Sequence, residues 1–296
     1  MDGEIRSLPE VRISPWDQGF LFGATLFTTF PIDGEGRIPF WPEHQERLTT
    51  TAKSWNLPIP ETFLLHHGNS RRRKTLRELL QKNELPHGAV GRYRLTPGEV
   101  GGGLPGNAPL SNPREILDIR PLPAPKPSVS LFLLSQKRNS PEEEIRSKNG
   151  SYLNTWLAHR ELALLAEGKA AEGLMLDRRG NLTEGTVSNL YWIRAGKVET
   201  PSLSTGCLPG LTRSWVKDHC QTHGIPIVEG ELPLEHLFRD DLDSLFVSNC
   251  VQGLVPVEQI LDPGGTVLRA FPGKLKNALY ETLSTEYHKN RQQSLS

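Results

Sequence analysis

The chain has 296 residues, 36% hydrophobic and 23% charged, with Lys+Arg and Asp+Glu both totalling 34. That length accommodates two domains of about 100–200 residues each, and the balanced charge gives no global attraction for nucleic acid or an anionic membrane surface. The cysteines Cys207, Cys220 and Cys250 lack metal-ligand spacing, no apolar run is long enough to cross a bilayer, and Met1–Arg6 holds no apolar signal segment, so a soluble cytoplasmic protein without a metal is expected.

The first part alternates strand and helix signals. An apolar run from Gly19 to Phe30 opens a sheet, Glu43–Trp55 and Glu61–Lys82 read as helices, and Ala89–Thr96 and Ile116–Leu122 read as further strands that the helices cover. Within the longer helix, Ser70-Arg-Arg-Arg-Lys-Thr75 reads as a solvated face. Strand alternation places Arg92 and Arg94 of Gly91-Arg-Tyr-Arg-Leu-Thr-Pro-Gly98 on one face, directed either at a ligand or at solvent. Pro121-Leu-Pro-Ala-Pro-Lys-Pro127 can continue neither a helix nor a central strand. The expected organisation is a small N-terminal α+β domain over residues 1–120, a linker over 121–128, and a larger C-terminal domain over 129–296.

The second part opens with a strand at Val129–Leu134 and a helix from about Tyr152 to Glu167, stopped by Gly168. A strand at Gly173–Leu176, a tight turn at Arg179–Asn181 and a strand at Leu190–Ile193 follow. Leu208-Pro-Gly-Leu-Thr-Arg213 reads as a helix entry, with the helix continuing over Ser214–His223 to a stop at Gly224. Strands at Ile225–Glu229 and Ser244–Ser248, a turn at Pro263–Gly265 and a helix from about Lys274 to Lys289 complete an α+β chain with strands of mixed direction.

Two residues focus the chemistry. Glu184, in Leu182-Thr-Glu-Gly-Thr-Val-Ser188, lies at a strand–turn edge followed by small residues that let a flat ligand approach the backbone; on its own segment it is equally a solvated turn carboxylate. Lys148 stands in a polar, glycine-containing loop, Arg146-Ser-Lys-Asn-Gly-Ser151, and an arbitrary lysine is a surface ammonium. Together with the Pro209-Gly210 helix entry, they supply an amine, a carboxylate and a set of backbone N–H groups, which are the groups that pyridoxal phosphate needs.

At these residues the chain resembles the fold-type IV pyridoxal-phosphate enzymes, the class IV aminotransferase family, which includes D-amino-acid aminotransferases, branched-chain aminotransferases and aminodeoxychorismate lyases. The resemblance runs from Ser14-Pro-Trp-Asp-Gln-Gly-Phe-Leu-Phe-Gly-Ala-Thr-Leu-Phe-Thr-Thr29 to Phe246-Val-Ser-Asn-Cys-Val-Gln-Gly-Leu-Val-Pro-Val257. It implies a small N-terminal α/β sandwich, a larger C-terminal domain, pyridoxal 5'-phosphate between them, and a homodimer whose second subunit helps wall the site. It also implies that Lys148 is the Schiff-base lysine, Glu184 the partner of the pyridine nitrogen, and Arg47 a phosphate ligand. The backbone N–H groups of Leu211, Thr212, Asn249 and Cys250 are the remaining phosphate donors that the resemblance implies.

Three features bear on the branch of the family. Thr28 stands where the family's transaminases commonly carry glutamate, and the pair Thr28-Thr29 is similar to the lyases, in which either hydroxyl serves the leaving group or orients the lysine. Lys148 precedes Tyr152 by four positions, a spacing similar to the lyases and D-amino-acid enzymes. Arg92 and Arg94 suit a substrate with more than one carboxylate, whereas Pro97 departs from the arginine that lyases and D-amino-acid enzymes often carry. The expected activity is therefore that of a 4-amino-4-deoxychorismate lyase, giving 4-aminobenzoate and pyruvate for folate synthesis. An aminotransferase acting on D-amino or branched-chain acids with 2-oxoglutarate is the alternative.

Overall fold

In β1 (Leu26–Asp33) the residues Leu26, Thr28, Phe30 and Ile32 alternate onto one almost fully buried face, and strand geometry then turns Phe27, Thr29 and Pro31 the other way. The computed structural model, which describes residues 1–271 and 277–295, pairs β1 with β2 (Gly88–Thr96) and β2 with β3 (Arg114–Pro121) in an antiparallel sheet. A short helix, α1 (Gln18–Phe22), takes the start of the expected apolar run and ends at the left-handed Gly23. The helices α2 (Trp41–Ser54) and α3 (Asn69–Lys82) contribute Leu48, Ala52, Leu76 and Leu80 to the core with Phe30 and Tyr93.

The second expected helix begins later than its residues suggest. Leu64–His66 forms a 3-10 turn, and Gly68 caps α3. The charge run inside α3 is also not wholly solvated, because Arg72 is buried with its guanidinium 4.7 Å from the centre of the Trp41 ring. Burial first, and then Arg73, lowers its pKa to about 10.

The second sheet is built from β4 (Val129–Leu133), β5 (Ala171–Leu176), β6 (Leu182–Gly185), β7 (Asn189–Arg194), β8 (Lys197–Pro201), β9 (Ile227–Gly230), β10 (Ser244–Asn249), β11 (Gly253–Leu261) and β12 (Val267–Ala270). Because β10 pairs with both β11 and β7, the circuit β4-β5-β6-β7-β10-β11 closes on itself. The β11–β4, β4–β5 and β8–β9 pairs are parallel and the others antiparallel, as the expected mixture of directions requires. Alternate residues such as Leu174 and Leu176, Leu190 and Trp192, and Leu245 and Val247 form one buried cluster. On the opposite strand face, α4 (Leu153–Ala166) packs Ala158 and Leu162 against Phe132 and Met175.

Two further helices complete this part, α5 (Leu211–Thr222) and α6 (Ala278–Gln293), and Tyr280 of α6 brings its ring 5.4 Å from that of Phe246. The expected C-terminal helix start at Lys274–Lys276 lies outside the described residues. β8, β11 and β12 are strands that the sequence reading did not mark.

The chain forms two compact units. One comprises Met1–Pro123 with Lys148–Tyr152 and Arg291–Ser296; the other comprises Ala124–Ser147 and Leu153–Asn290. Lys148–Tyr152, which the sequence reading assigned to the C-terminal domain, joins the first unit because it pairs along the edge of β1. Phe27 donates its N–H to the Lys148 carbonyl at 3.0 Å, Leu26 bridges to Asn149, and Gly150 donates to the Thr25 carbonyl at 2.6 Å.

Leu174 is fully buried in the closed sheet, whereas Leu164 is 77% exposed on α4. Leu174→Ala should cost about 2–5 kcal/mol, while Leu164→Ala should change stability by less than about 0.5 kcal/mol. Urea midpoints of the two variants would test this, and equal shifts would contradict the packing described.

Candidate active site

In the second unit, Glu184 ends up as a buried carboxylate rather than a solvated turn residue. Its side chain is 7% exposed, Oε1 lies 2.7 Å from Nε of Arg138, and Oε2 accepts the Leu208 N–H at 2.9 Å. Arg138 is itself 8% exposed and donates to the side chains of Asn154 and Thr155 on α4, at 3.1 and 3.0 Å. The guanidinium and the N–H offset part of the cost of burying the carboxylate. It offers about four acceptor positions, so these partners leave acceptor capacity for a ring N–H.

The small residues after Glu184 serve the turn itself. Glu172 on β5 is buried, and it accepts the Thr186 N–H at 2.8 Å, the Ser188 hydroxyl at 2.9 Å and the Thr186 hydroxyl. A Cβ on Gly185 would stand 2.4 Å from Ser188 Oγ and 2.8 Å from Glu172 Cδ. Any other residue at position 185 would therefore break the turn that follows Glu184.

The same hairpin positions the N-terminus of α5. Asn189, the β7 partner of Glu184, donates to the Leu208 carbonyl at 2.8 Å, and a Cβ on Gly210 would sit 2.1 Å from Asn189 Oδ1. Leu211 and Thr212 begin α5, where first-turn N–H groups lack intrahelical partners and favour an anion. Asn249 closes β10 and turns the chain through Cys250, its Oδ1 accepting from the N–H groups of Val251 and Gln252 at 3.0 and 2.9 Å. Thr212 Oγ1 lies 3.9 Å from Cys250 Sγ and 3.2 Å from the Tyr287 hydroxyl of α6, so the two expected N–H sets are neighbours.

In the first unit, Lys148 Nζ lies 4.7 Å from the centre of the Phe27 ring and 6.0 Å from that of Tyr152. Those rings meet edge to face at 5.3 Å. Thr29 pairs with Arg92 and Phe27 with Arg94 across the β1–β2 ladder, so these residues share one face. Arg92 lies 5.8 Å from the centre of the Phe27 ring, and burial, followed by Arg94 and Arg120, lowers its pKa. Arg94 is paired with Asp118 and lines a cavity with Thr25, Thr96, Arg114 and Ile116.

Thr28 points to the opposite face. Its Oγ1 is 2.6 Å from Nδ1 of the buried His44 and accepts a hydrogen bond from Arg47 Nη2. The two threonines are thus divided, Thr28 with Arg47 and Thr29 with Arg92. His44, Arg138, Glu172 and Tyr287 were not singled out from the sequence. His44 precedes Arg47 by one helical turn on α2, the only such cue.

Residues 25–260 match the family model for amino-transferase class IV. The chain belongs to that family. It is 29% identical over 270 residues to the aminodeoxychorismate lyase of Bacillus subtilis, a match covering 88% of this chain and 85% of the relative. To the branched-chain-amino-acid aminotransferase of Escherichia coli it is 25% identical over 272 residues, covering 88% and 83%. The structure of a putative 4-amino-4-deoxychorismate lyase from Legionella pneumophila superposes with a TM-score of 0.77 at 22% identity, across 98% of each chain.

Pyridoxal 5'-phosphate is the cofactor of the family and so of this chain. The chemistry of the donors fits it: a lysine amine, an arginine fork, a buried carboxylate with acceptor capacity, and helix-start N–H groups beside a glycine whose Cβ would meet Asn189. Among the described residues, no cluster of His, Cys, Asp and Glu could hold a metal ion, and no helix is long and apolar enough to cross a membrane.

Removing one partner from the buried Glu184–Arg138 pair should be costly. Arg138→Leu is expected to destabilise the cofactor-free protein by about 3–5 kcal/mol, and adding Glu184→Leu should recover part of that loss. Urea denaturation of the single and double variants measures it, and strictly additive losses would show that the two charges do not interact.

A second expectation concerns pH. Burial first, and then the charges of Arg47 and Lys148, push the His44 imidazole well below its usual range. Neutral in the fold but able to protonate when unfolded near pH 6.5, His44 leaves stability intact above about that pH. Stability falls as pH drops below it, by at most about 1.4 kcal/mol per pH unit. Thermal melts between about pH 7.5 and pH 5 should therefore be less pH-dependent in His44→Asn than in the parent; identical slopes would contradict a neutral buried histidine.

Proposed function

We propose that this chain is a pyridoxal-phosphate-dependent 4-amino-4-deoxychorismate lyase that releases 4-aminobenzoate and pyruvate. The observation that carries the reading is the composition of the Lys148 face, where Lys148 and Arg92 lie near the Phe27 ring and Thr29 and Arg94 share its side of the strand pair. Two guanidinium groups on one strand face suit a substrate with two carboxylates better than a branched aliphatic amino acid. Similarity to the Bacillus subtilis lyase supports the same choice.

Each residue then has a physical task. Lys148 holds the cofactor and moves the substrate proton. Glu184, oriented by Arg138 and the Leu208 N–H, accepts from the protonated pyridine nitrogen. Arg47 and the N–H groups of Leu211, Thr212, Asn249 and Cys250 bind the phosphate. When bound, the cofactor supplies an electron sink for the pair left by a departing proton. The Lys148 amine takes the proton from the substrate carbon that bears the amine, the enolpyruvyl oxygen leaves the neighbouring carbon, and the ring becomes aromatic.

Thr29, on the Lys148 face, orients the lysine or the leaving oxygen, while Thr28 supports Arg47 from the other face. The working form is a cytoplasmic homodimer acting on a small dicarboxylate, with no nucleic-acid or membrane partner. An aminotransferase remains the second reading, favoured by the 25% identity to the Escherichia coli branched-chain enzyme over 88% of this chain. The same lysine, carboxylate and phosphate ligands would serve it.

Incubation with 4-amino-4-deoxychorismate and no amino acceptor should yield equimolar 4-aminobenzoate and pyruvate. Lys148→Ala should lower that rate by at least about a hundredfold. Glutamate formed from 2-oxoglutarate and an amino donor, without 4-aminobenzoate from the first assay, would transfer the assignment to the aminotransferase. Undiminished turnover by Lys148→Ala would remove both readings.

A further inference from the structure

The Thr28 hydroxyl is the centre of a small buried network whose protons can be placed by elimination. Arg47 Nη2 can only donate, so Thr28 Oγ1 accepts from it. At 2.6 Å the hydroxyl also bonds His44 Nδ1, and Thr28 and His44 are 0% and 1% exposed. A protonated His44 would add a second cationic donor to the same oxygen and leave the hydroxyl proton without an acceptor in the core. The arrangement that gives both the Thr28 proton and His44 Nδ1 a partner has His44 neutral, its ring proton on Nε2, and Nδ1 accepting the Thr28 proton. Burial and the nearby Arg47 and Lys148 charges favour that same state.

The network has a direction, running from Arg47 N–H to Thr28 oxygen and from Thr28 O–H to His44 Nδ1. With its only proton committed to the histidine, Thr28 faces Arg47 as a pure acceptor. The histidine is held in turn, its ring meeting that of Phe30 at 5.4 Å and 71°. Since α2 carries both His44 and Arg47 and β1 carries Thr28, the network also fixes the helix register over the strand.

We propose that His44 is a positioning residue for the cofactor phosphate: by taking the Thr28 proton, it fixes the Thr28 oxygen as the anchor that orients the Arg47 guanidinium. This rests on the assignment of Arg47 to the phosphate. His44 touches neither cofactor nor substrate, and its effect passes through Thr28 to Arg47.

The consequence is selective. A defect at His44 weakens binding through the phosphate and spares the ring and aldehyde, so pyridoxal 5'-phosphate and pyridoxal respond differently. The experiment is an absorbance titration of the cofactor-stripped full-length protein with each compound. Asparagine at this position places an acceptor oxygen near the site of Nδ1; leucine fills similar space with none. His44→Leu should raise the Kd for pyridoxal 5'-phosphate about tenfold, the loss of roughly one hydrogen bond to a charged network. Its Kd for pyridoxal should stay within about twofold of the parent, and His44→Asn should recover most of the phosphate preference.

Thr28→Val, which removes the hydroxyl at nearly constant volume, should reproduce the selective loss and provides the reading if His44→Leu does not fold. Equal weakening toward both compounds, or no weakening toward either, overturns the proposal. A preference lost in Arg47→Ala but kept in His44→Leu and Thr28→Val overturns it alone. If Arg47→Ala itself keeps the full preference, the phosphate assignment fails and takes this inference with it.

Discussion

The second unit is organised around one buried charge. Glu184 on β6 would be expensive to bury alone, because an uncompensated carboxylate in a low-dielectric interior costs several kcal/mol. Arg138 supplies the countercharge, and its own position is set by its backbone N–H to the Leu176 carbonyl, at 2.8 Å, and by Asn154 and Thr155 on α4. The second Glu184 oxygen takes the Leu208 N–H, and Asn189 takes the Leu208 carbonyl. One ion pair therefore connects the segment after β4, the start of α4, the β6–β7 hairpin and the entry to α5. The contacts that tie these segments together are the ones that present the carboxylate beside a helix N-terminus.

The first unit holds the cations Lys148 and Arg47 with uncharged partners. Lys148 reaches its place because Lys148–Gly150 adds an edge to β1, which sets the lysine over the Phe27 ring. On the other face of that strand, a single hydroxyl joins an arginine to a histidine that burial keeps uncharged. Successive residues of β1 thus serve different chemistry, and a register slip by one residue would exchange them.

Much of this was legible in the sequence. The three-stranded sheet and its helices followed from apolar periodicity, and the helix at Leu211 followed from Pro209-Gly210. Lys148 and Glu184 are a lysine and a carboxylate whose own segments give no decisive packing role, and the order of the motifs around them gives them their expected roles. What escaped was long-range pairing. Nothing local tells that Arg138 meets a carboxylate 46 positions later, that Glu172 holds the turn at Thr186–Ser188, or that Lys148 pairs with β1. The strands β11 and β12 escaped for a different reason, since β11 carries Pro256 and β12 is largely exposed, so neither shows a clean alternation.

Strand alternation also sharpens how one scaffold can serve more than one reaction. Residues that hold a cofactor phosphate, a ring nitrogen and a carbonyl carbon are indifferent to the substrate. In the proposed assignment they include Arg47, held by Thr28 on the α2 side of β1, and Glu184 in the second unit. Residues on the Lys148 side are set by Thr29, Arg92 and Arg94 and by the charge balance of the β2–β3 ladder, where Asp118 engages Arg94 while Arg120 adds to the positive field at Arg92. On the proposed reading, changes at Thr29, Arg92 or Arg94 alter what is bound and leave the Arg47–Thr28–His44 network behind the strand in place. On that proposal the choice between elimination and amino transfer belongs to the face that carries Thr29 rather than to the face that carries Thr28, even though the two residues are adjacent in the chain.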